Sequence, residues 1–210
     1  DDFNAIPIKN GEYPKIGIVG EIYVKYNSFG NQHITEWLTE QGIEVVVPPI
    51  LDFFTQWFVN TKVNIQSNLR RAEFSDLYAF SIEKYANKHL RKVEKINSGF
   101  KFYTAFDNIN ASSKKASEIL NLANQFGEGW LIPAEIASFA DEGIKYIISL
   151  QPFGCIANQV VSKGVEKRIK DLYPDINLLF LDFDAGTSEV NILNRLHFMV
   201  RNLKEEKTWV

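Results

Sequence analysis

The sequence predicts an α/β domain in which a parallel sheet of about four strands is flanked by helices and interrupted by a helical insertion. Short, nearly continuous apolar segments recur between turn-forming residues, which is typical of strands buried on both faces. Segments with helical periodicity lie between them, and this alternation indicates βαβ units with right-handed crossovers, the Rossmann-like arrangement. The four predicted strands are KIGIVG (15–20), IEVVVP (43–48), KYIISL (145–150) and INLLFLDF (176–183).

Helices are predicted after the first, third and fourth strands, because apolar residues recur there every three or four positions. The first of these helices stops at Gly42, and glycine is the residue that most often terminates a helix. The three predicted helices span 30–41, 158–172 and 188–203.

Residues 51–142 break the alternation, and we expect them to form a helical insertion that caps one end of the sheet. They contain no strong strand pattern, and predicted helices lie near 64–95, at 114–126 and at 133–142, with a loop at 97–113. The insertion begins with an aromatic cluster that we expect to be buried in the core, the alternative being a contact surface for a partner. The cluster consists of Phe53, Phe54, Trp57 and Phe58.

Composition limits the classes of function. The chain has 210 residues, a net charge of −3 and scattered lysines, so nucleic-acid binding is not expected. A single cysteine excludes an internal disulfide and fits a reducing compartment. There is no signal-peptide pattern and no apolar run near the roughly 20 residues of a membrane span. We therefore expect a cytoplasmic protein, and the start at Asp1 without methionine suggests a domain excised from a longer protein.

The one cysteine, Cys155, lies in QPFGC (151–155), directly after the third predicted strand. Open α/β sheets place their chemistry at the carboxyl ends of strands, and a following helix amino terminus favours a thiolate or an anion. Gly154 can adopt positive φ or let a ligand approach the backbone. Alternatively, Cys155 is a small buried residue of a tight turn.

Two other loops contain candidate binding residues. Glu21 and Asn27 follow the first strand, where neither a G-x-G-x-x-G motif nor a Walker-type motif is present, and Asn27 can equally cap a helix. Glu128 lies between two glycines and precedes Trp130. Here the alternative is a glycine that ends a helix, followed by a buried tryptophan.

The loop after the fourth strand, 182–191, is acidic. Asp182 and Asp184 can bind a divalent cation or transfer protons, whereas Asp184 or Thr187 can instead cap the last helix. The three histidines have no zinc-binding spacing, so a zinc site is not expected.

Five segments together resemble one protein family. The resemblance is to the carboxyl-terminal region of 2-hydroxyacyl-CoA dehydratase D-component-like proteins, also called CoA-substrate-specific enzyme activase-related proteins, and it extends over about 15–200. The segments are GEIYVKYNSFGN (20–31), EVVVPPILDFF (44–54), GEGWLIPAEI (127–136), LQPFGCIANQVVSKG (150–164) and LDFDAGTSEVNILNRL (181–196).

The resemblance implies cysteine-ligated iron–sulfur clusters on Rossmann-like subdomains, and single-electron transfer to an acyl-CoA from an ATP-hydrolysing activator. Cys155 would be a cluster ligand, in a site shaped by Gly154, Glu21, Asn27 and Glu128. Because a [4Fe–4S] cluster needs four ligands, mostly thiolates, this chain should not hold one alone and is expected to be inactive alone. The competing hypothesis is a non-catalytic module that binds a small anion or acyl-CoA, with Cys155 structural.

Overall fold

The structure, a computed structural model, describes residues 2–8, 11–105, 107–184, 186 and 188–208, without the side chains of 207 and 208. Its strands form one parallel sheet in the order β2–β1–β3–β4, which confirms the predicted fold class. The strands are β1 (Lys15–Gly20), β2 (Glu44–Val46), β3 (Tyr146–Pro152) and β4 (Asn177–Phe183).

The sheet reverses its order between β1 and β3. These neighbours run in register from Ile16 opposite Tyr146 to Gly20 opposite Leu150. The chain leaves β1 toward one edge of the sheet and leaves β3 toward the other, so their carboxyl ends flank the crevice where such sheets bind ligands. β2 is shorter than predicted, because it is an edge strand with a single neighbour.

Eight α-helices are described. They are α1 (Ile22–Tyr26), α2 (Ile34–Glu40), α3 (Leu51–Gln66), α4 (Ser75–Asn97), α5 (Ile109–Ile119), α6 (Leu131–Asp141), α7 (Glu166–Leu172) and α8 (Glu189–Thr208). The predicted helix 158–172 is only partly α-helical, since it starts with a π-helical turn (Asn158–Ser162) and a 3₁₀ turn (Lys163–Val165).

Two helices of the insertion begin or end where the sequence did not indicate. The single helix predicted near 64–95 is two helices, because Asn68 takes the left-handed conformation (φ 56°) just after α3. α5 begins at Ile109, inside the predicted loop, since the Asn108 side chain accepts hydrogen bonds from the amides of Asn110 and Ala111 (3.1 and 3.0 Å).

The insertion covers one face of the sheet as well as its end. All its described elements are helical, as predicted, but α6 packs directly on β1. A Cβ at Gly17 would overlap the ring of Phe139, so glycine is required for this close approach. The expectation of a simple end cap was wrong in this respect.

Burial of the aromatic cluster was predicted wrongly for two of its four residues, whereas Phe53 packs against the buried cluster around Trp130. Phe54 and Trp57 are 61% and 52% exposed, because α3 turns Gln56 and Val59 inward instead. Within the described residues, no helix has the length and apolar character needed to cross a membrane.

Candidate functional site

The crevice between β1 and β3 is closed tightly at its base. Gly20 has φ 122°, and a Cβ there would overlap the Leu150 carbonyl oxygen, so only glycine fits. The next amide, of Glu21, donates to the Leu150 carbonyl oxygen at 2.9 Å. The loops that follow β1 and β3 are therefore held side by side.

Cys155 lies in a tight turn between β3 and the π-helical turn. Its amide donates to the Pro152 carbonyl at 3.2 Å, and its own carbonyl accepts from the Gln159 amide at 3.0 Å. Gly154 adopts φ 76°, as the sequence suggested, and a Cβ there would meet nothing within 4 Å. Cys155 is half-buried as a residue, so it is not a fully buried core residue.

A buried amide contacts the sulfur. Asn158 is fully buried, and its Nδ2 donates to Cys155 Sγ at 3.1 Å. Its Oδ1 has no hydrogen-bond partner among the described residues. An amide that donates to sulfur stabilises negative charge on that sulfur. The sequence did not single out Asn158, because a polar residue within a helical turn usually faces solvent.

Glu128 lies against the start of α1, the helix that follows β1. It is 3% exposed, and its Oε1 accepts from the Ile22 amide at the start of α1 at 2.7 Å. Burial raises the pKa of Glu128, although its hydrogen bonds from backbone amides act in the opposite direction. Trp130 is fully buried, as proposed, and donates from Nε1 to Asn60 Oδ1 at 2.7 Å.

The Glu128 loop approaches the cysteine turn. The backbone at Gly127 comes so near that a Cβ there would lie 3.8 Å from the Cβ of Ala157, two residues beyond Cys155. The structure therefore places the Glu128 loop next to both the start of α1 and the cysteine turn. That Glu21, Glu128, Gly154 and Cys155 form one binding site stays a prediction.

Asn27 has a local role. Its Oδ1 accepts from the Gly30 amide at 2.7 Å, and its amide donates to the Tyr23 carbonyl at 3.0 Å. These bonds close the connection between α1 and α2, which agrees with the capping alternative.

A buried ion pair beneath the crevice was missed by sequence reasoning. Lys25 Nζ lies 2.7 and 3.0 Å from the two carboxylate oxygens of Glu135, and both side chains are less than 5% exposed. Burial raises the pKa of Glu135 to about 7 despite the ammonium, and burial raises that of the nearby Asp52 to about 6. The sequence feature that could have indicated this pair is the presence of a lysine and a glutamate on otherwise apolar helix faces.

The two acidic residues predicted for the loop after the fourth strand have different places, because Asp182 lies within β4 and only Asp184 follows it. Asp182 accepts from Gln151 Nε2 (2.5 Å) and from Lys163 Nζ (2.9 Å). Asp184 accepts from the Gly186 amide at 2.9 Å, which closes the loop and does not cap α8. Thr187, the other proposed cap, lies outside the described residues. In the described part of the chain, no three His, Cys, Asp or Glu side chains are grouped to hold a metal ion.

No protein-family model, curated protein or solved structure matches this chain. The resemblance to the dehydratase and activase-related family therefore stays a prediction from the five sequence segments.

Proposed function

We propose that this chain is a domain of an iron–sulfur protein of the 2-hydroxyacyl-CoA dehydratase and activase-related kind, with Cys155 as one cluster ligand. The observation that carries the proposal is the position of the sulfur. Cys155 is half-buried, next to the sheet's order reversal, and its sulfur accepts a hydrogen bond from a buried amide. Thiolates are the usual ligands of such clusters.

The side chains around Cys155 provide one ligand of a cluster, the Cys155 thiolate. No second thiol exists in the chain, and the carboxylates nearest the crevice already accept hydrogen bonds from backbone amides. The remaining ligands would come from another segment or subunit. A Cβ at Gly154 would meet nothing within 4 Å, so the backbone that precedes Cys155 is open on that side, and we expect such a group to approach there.

A cluster bound here would accept and release one electron at low potential. The contributions of this chain are ligation by Cys155 and the hydrogen bond from Asn158 to the sulfur. Hydrogen bonds to cluster sulfurs are among the factors that set the reduction potential, because they stabilise the more negative reduced state. We expect Asn158→Leu to lower the potential of the intact protein.

Exposed apolar side chains next to the sulfur favour docking of a partner there. Phe153 and Ile156, on either side of the cysteine turn, are 75% and 72% exposed, and Phe126 in the neighbouring loop is 79% exposed. In this proposal the partner is an ATP-dependent activator or another subunit of the same system, the substrate is of the acyl-CoA type, and the compartment is the reducing cytoplasm.

The test uses the natural protein that contains this chain, purified without oxygen. We expect visible cluster absorbance that Cys155→Ser removes. Val160→Ser is the matched control, because it places the same side chain at a nearby position that is 57% exposed, keeps the thiol and alters none of the residues proposed to dock a partner. Unchanged absorbance in Cys155→Ser would refute the ligand assignment.

A second candidate is the non-catalytic binding module, and one observation favours it. Three buried amide oxygens at this end of the molecule have no partner within the described ranges, namely those of Gln56, Gln151 and Asn158. They suit a ligand with N–H or O–H donors, such as the pantetheine arm of acyl-CoA, and not a small anion. Titration calorimetry with CoA and acetyl-CoA separates the candidates, because only this one predicts binding by the chain itself that survives Cys155→Ala.

A further inference from the structure

The long helix α4 carries an apolar stripe that faces away from the rest of the molecule. We call this stripe the α4 seam. Its members recur every three or four residues, and its six apolar members are 52–76% exposed. A repeat of this kind is typical of a helix that packs against another helix. The seam consists of Phe74, Tyr78, Ile82, Tyr85, His89, Val93 and Ile96.

The face of α4 that touches the body of the protein is largely polar. Asp76 and Glu83 are buried there, with Ala79 between them. Arg70 pairs with Asp76 at 2.5 Å, and Lys62 pairs with Glu83 at 2.6 Å. A surface helix normally turns its apolar stripe toward the core. In α4 this orientation is reversed, which leaves the seam available to a partner.

The seam is complementary to itself in the antiparallel direction. If two copies of α4 cross near Asn87, Tyr85 of each lies opposite His89 of the other, and Tyr78 lies opposite Ile96. In the same register, Ile82 of each copy lies within one residue of the position opposite Val93 of the other. A surface that matches itself in this way forms an isologous interface with twofold symmetry.

Charge also selects the antiparallel direction. Four cations lie in the second half of α4, and a parallel pair would place both sets side by side, at a cost from repulsion. An antiparallel pair that crosses near Asn87 instead places the four cations of each copy opposite residues 79–86 of the other, so the two sets no longer lie side by side. The four cations are Lys88, Arg91, Lys92 and Lys95.

The contact is large enough for a specific dimer. α4 has 23 residues and is about 35 Å long at a rise of 1.5 Å per residue. An aromatic side chain buries about 150–250 Å². The three aromatic and three aliphatic seam residues of two copies therefore supply on the order of 1,000 Å², about the lower limit for a specific interface. We propose that this chain forms a twofold symmetric dimer through antiparallel packing of the α4 seam.

Sedimentation velocity measures the dimer. We expect a species of twice the 24.1 kDa chain mass at protein concentrations up to roughly 100 µM, above the micromolar dissociation constants of weak interfaces. The double variant Ile82→Glu/Tyr85→Glu should be monomeric with an unchanged circular dichroism spectrum. The matched control is Val190→Glu/Phe198→Glu, which alters two side chains of α8 that are 62% and 68% exposed, and should remain dimeric.

Cross-linking tests the direction of packing. In a Cys155→Ser background, His89→Cys should be joined to its counterpart by a short bismaleimide cross-linker, because two antiparallel copies place position 89 about 6 Å apart along the axis on helices whose axes lie about 8–10 Å apart. Ile96→Cys should not, since its two copies lie about 27 Å apart. A wild-type monomer at every concentration, a dimer that persists in the seam variant, or equal cross-linking at both positions would overturn the proposal.

Discussion

Lys25 and Glu135 join α1 to α6 directly beneath the crevice, and separating them should strongly destabilise the protein. The two side chains are 3% and 4% exposed and meet through two contacts, of 2.7 and 3.0 Å. Lys25→Met leaves a buried carboxylate without its cation, which costs about 3–5 kcal/mol. The double variant Lys25→Met/Glu135→Leu removes both charges and keeps similar volumes, so it should lie within about 1 kcal/mol of wild type.

The penalty for Lys25→Met should also depend on pH, with a definite sign. Burial raises the pKa of Glu135 to about 7 from its ordinary value of 4.5. A buried acid whose pKa is raised contributes stability that is complete below its unfolded pKa and is lost as pH rises through the folded value, by about 1.4 kcal/mol per pH unit. The ammonium of Lys25 lowers the pKa of Glu135, so its removal raises that pKa further. The penalty should therefore be larger at pH 8 than at pH 5, by about 1 kcal/mol or more.

Urea unfolding at pH 5 and pH 8, followed by circular dichroism, measures the stability penalty and its pH dependence. The double-mutant cycle consists of wild type, Lys25→Met, Glu135→Leu and the double variant. Equal slopes with denaturant concentration are required for the comparison of free energies. A Lys25→Met penalty below about 1 kcal/mol at pH 8 would refute the claim that Glu135 is buried as an ion. A double variant as unstable as the sum of the singles would refute the claim that the two residues act as a pair.

Three further predictions concern the crevice. Gly154→Ala should reduce the free energy of unfolding by only about 1–2 kcal/mol, because the added Cβ strains the left-handed backbone but contacts nothing. Gly20→Ala should prevent folding or reduce stability far more, because its Cβ overlaps the Leu150 carbonyl. Comparable thermal unfolding of the two variants would contradict this. Trp130→Phe should lower the free energy of unfolding by about 2 kcal/mol, because it removes a buried hydrogen bond and leaves part of the volume empty. Trp57 is exposed, so Trp57→Phe should change the free energy of unfolding by less than about 0.5 kcal/mol. In this chain by itself, Cys155 should react with a maleimide before any denaturant is added, and labelling that requires unfolding would show that the thiol is inaccessible.

The sequence predicts the central sheet well because strands buried on both faces carry an unbroken apolar signal. It predicts β2 and the segment 158–172 less well. A short edge strand and a π-helical turn have their limits set by tertiary contacts. Asn68 and Asn108 end and begin helices through backbone conformation and side-chain capping, which a scan for apolar periodicity does not detect.

Only part of the candidate site could be predicted from the sequence, because its other residues are positioned by tertiary contacts. Gly154, Cys155, Glu21 and Glu128 follow strands or glycines, where loop chemistry is expected. Asn158 and the Lys25–Glu135 pair act from within helical segments, and only three-dimensional packing brings them to their partners. A polar residue at a core-facing helix position is the feature that connects these omissions.

The exposed apolar side chains divide into two groups. Those beside Cys155 belong to the proposed cluster site, whereas the α4 seam lies on the insertion and has its own register and charge pattern. The two proposals therefore fail independently, because loss of the dimer leaves the thiol environment intact and loss of the cluster leaves α4 unchanged.

The central claim is that Cys155 is a cluster ligand, and the most direct measurement examines its sulfur without any mutation. The natural protein that contains this chain is purified without oxygen and treated with iodoacetamide before and after iron is removed by a chelator together with a non-thiol reductant, which keeps the released cysteines as thiols. Mass spectrometry then measures the modified fraction of the peptide that contains Cys155. Ligation predicts that this cysteine is protected before iron removal and modified after it. Equal modification in both samples would contradict the assignment of Cys155 as a ligand.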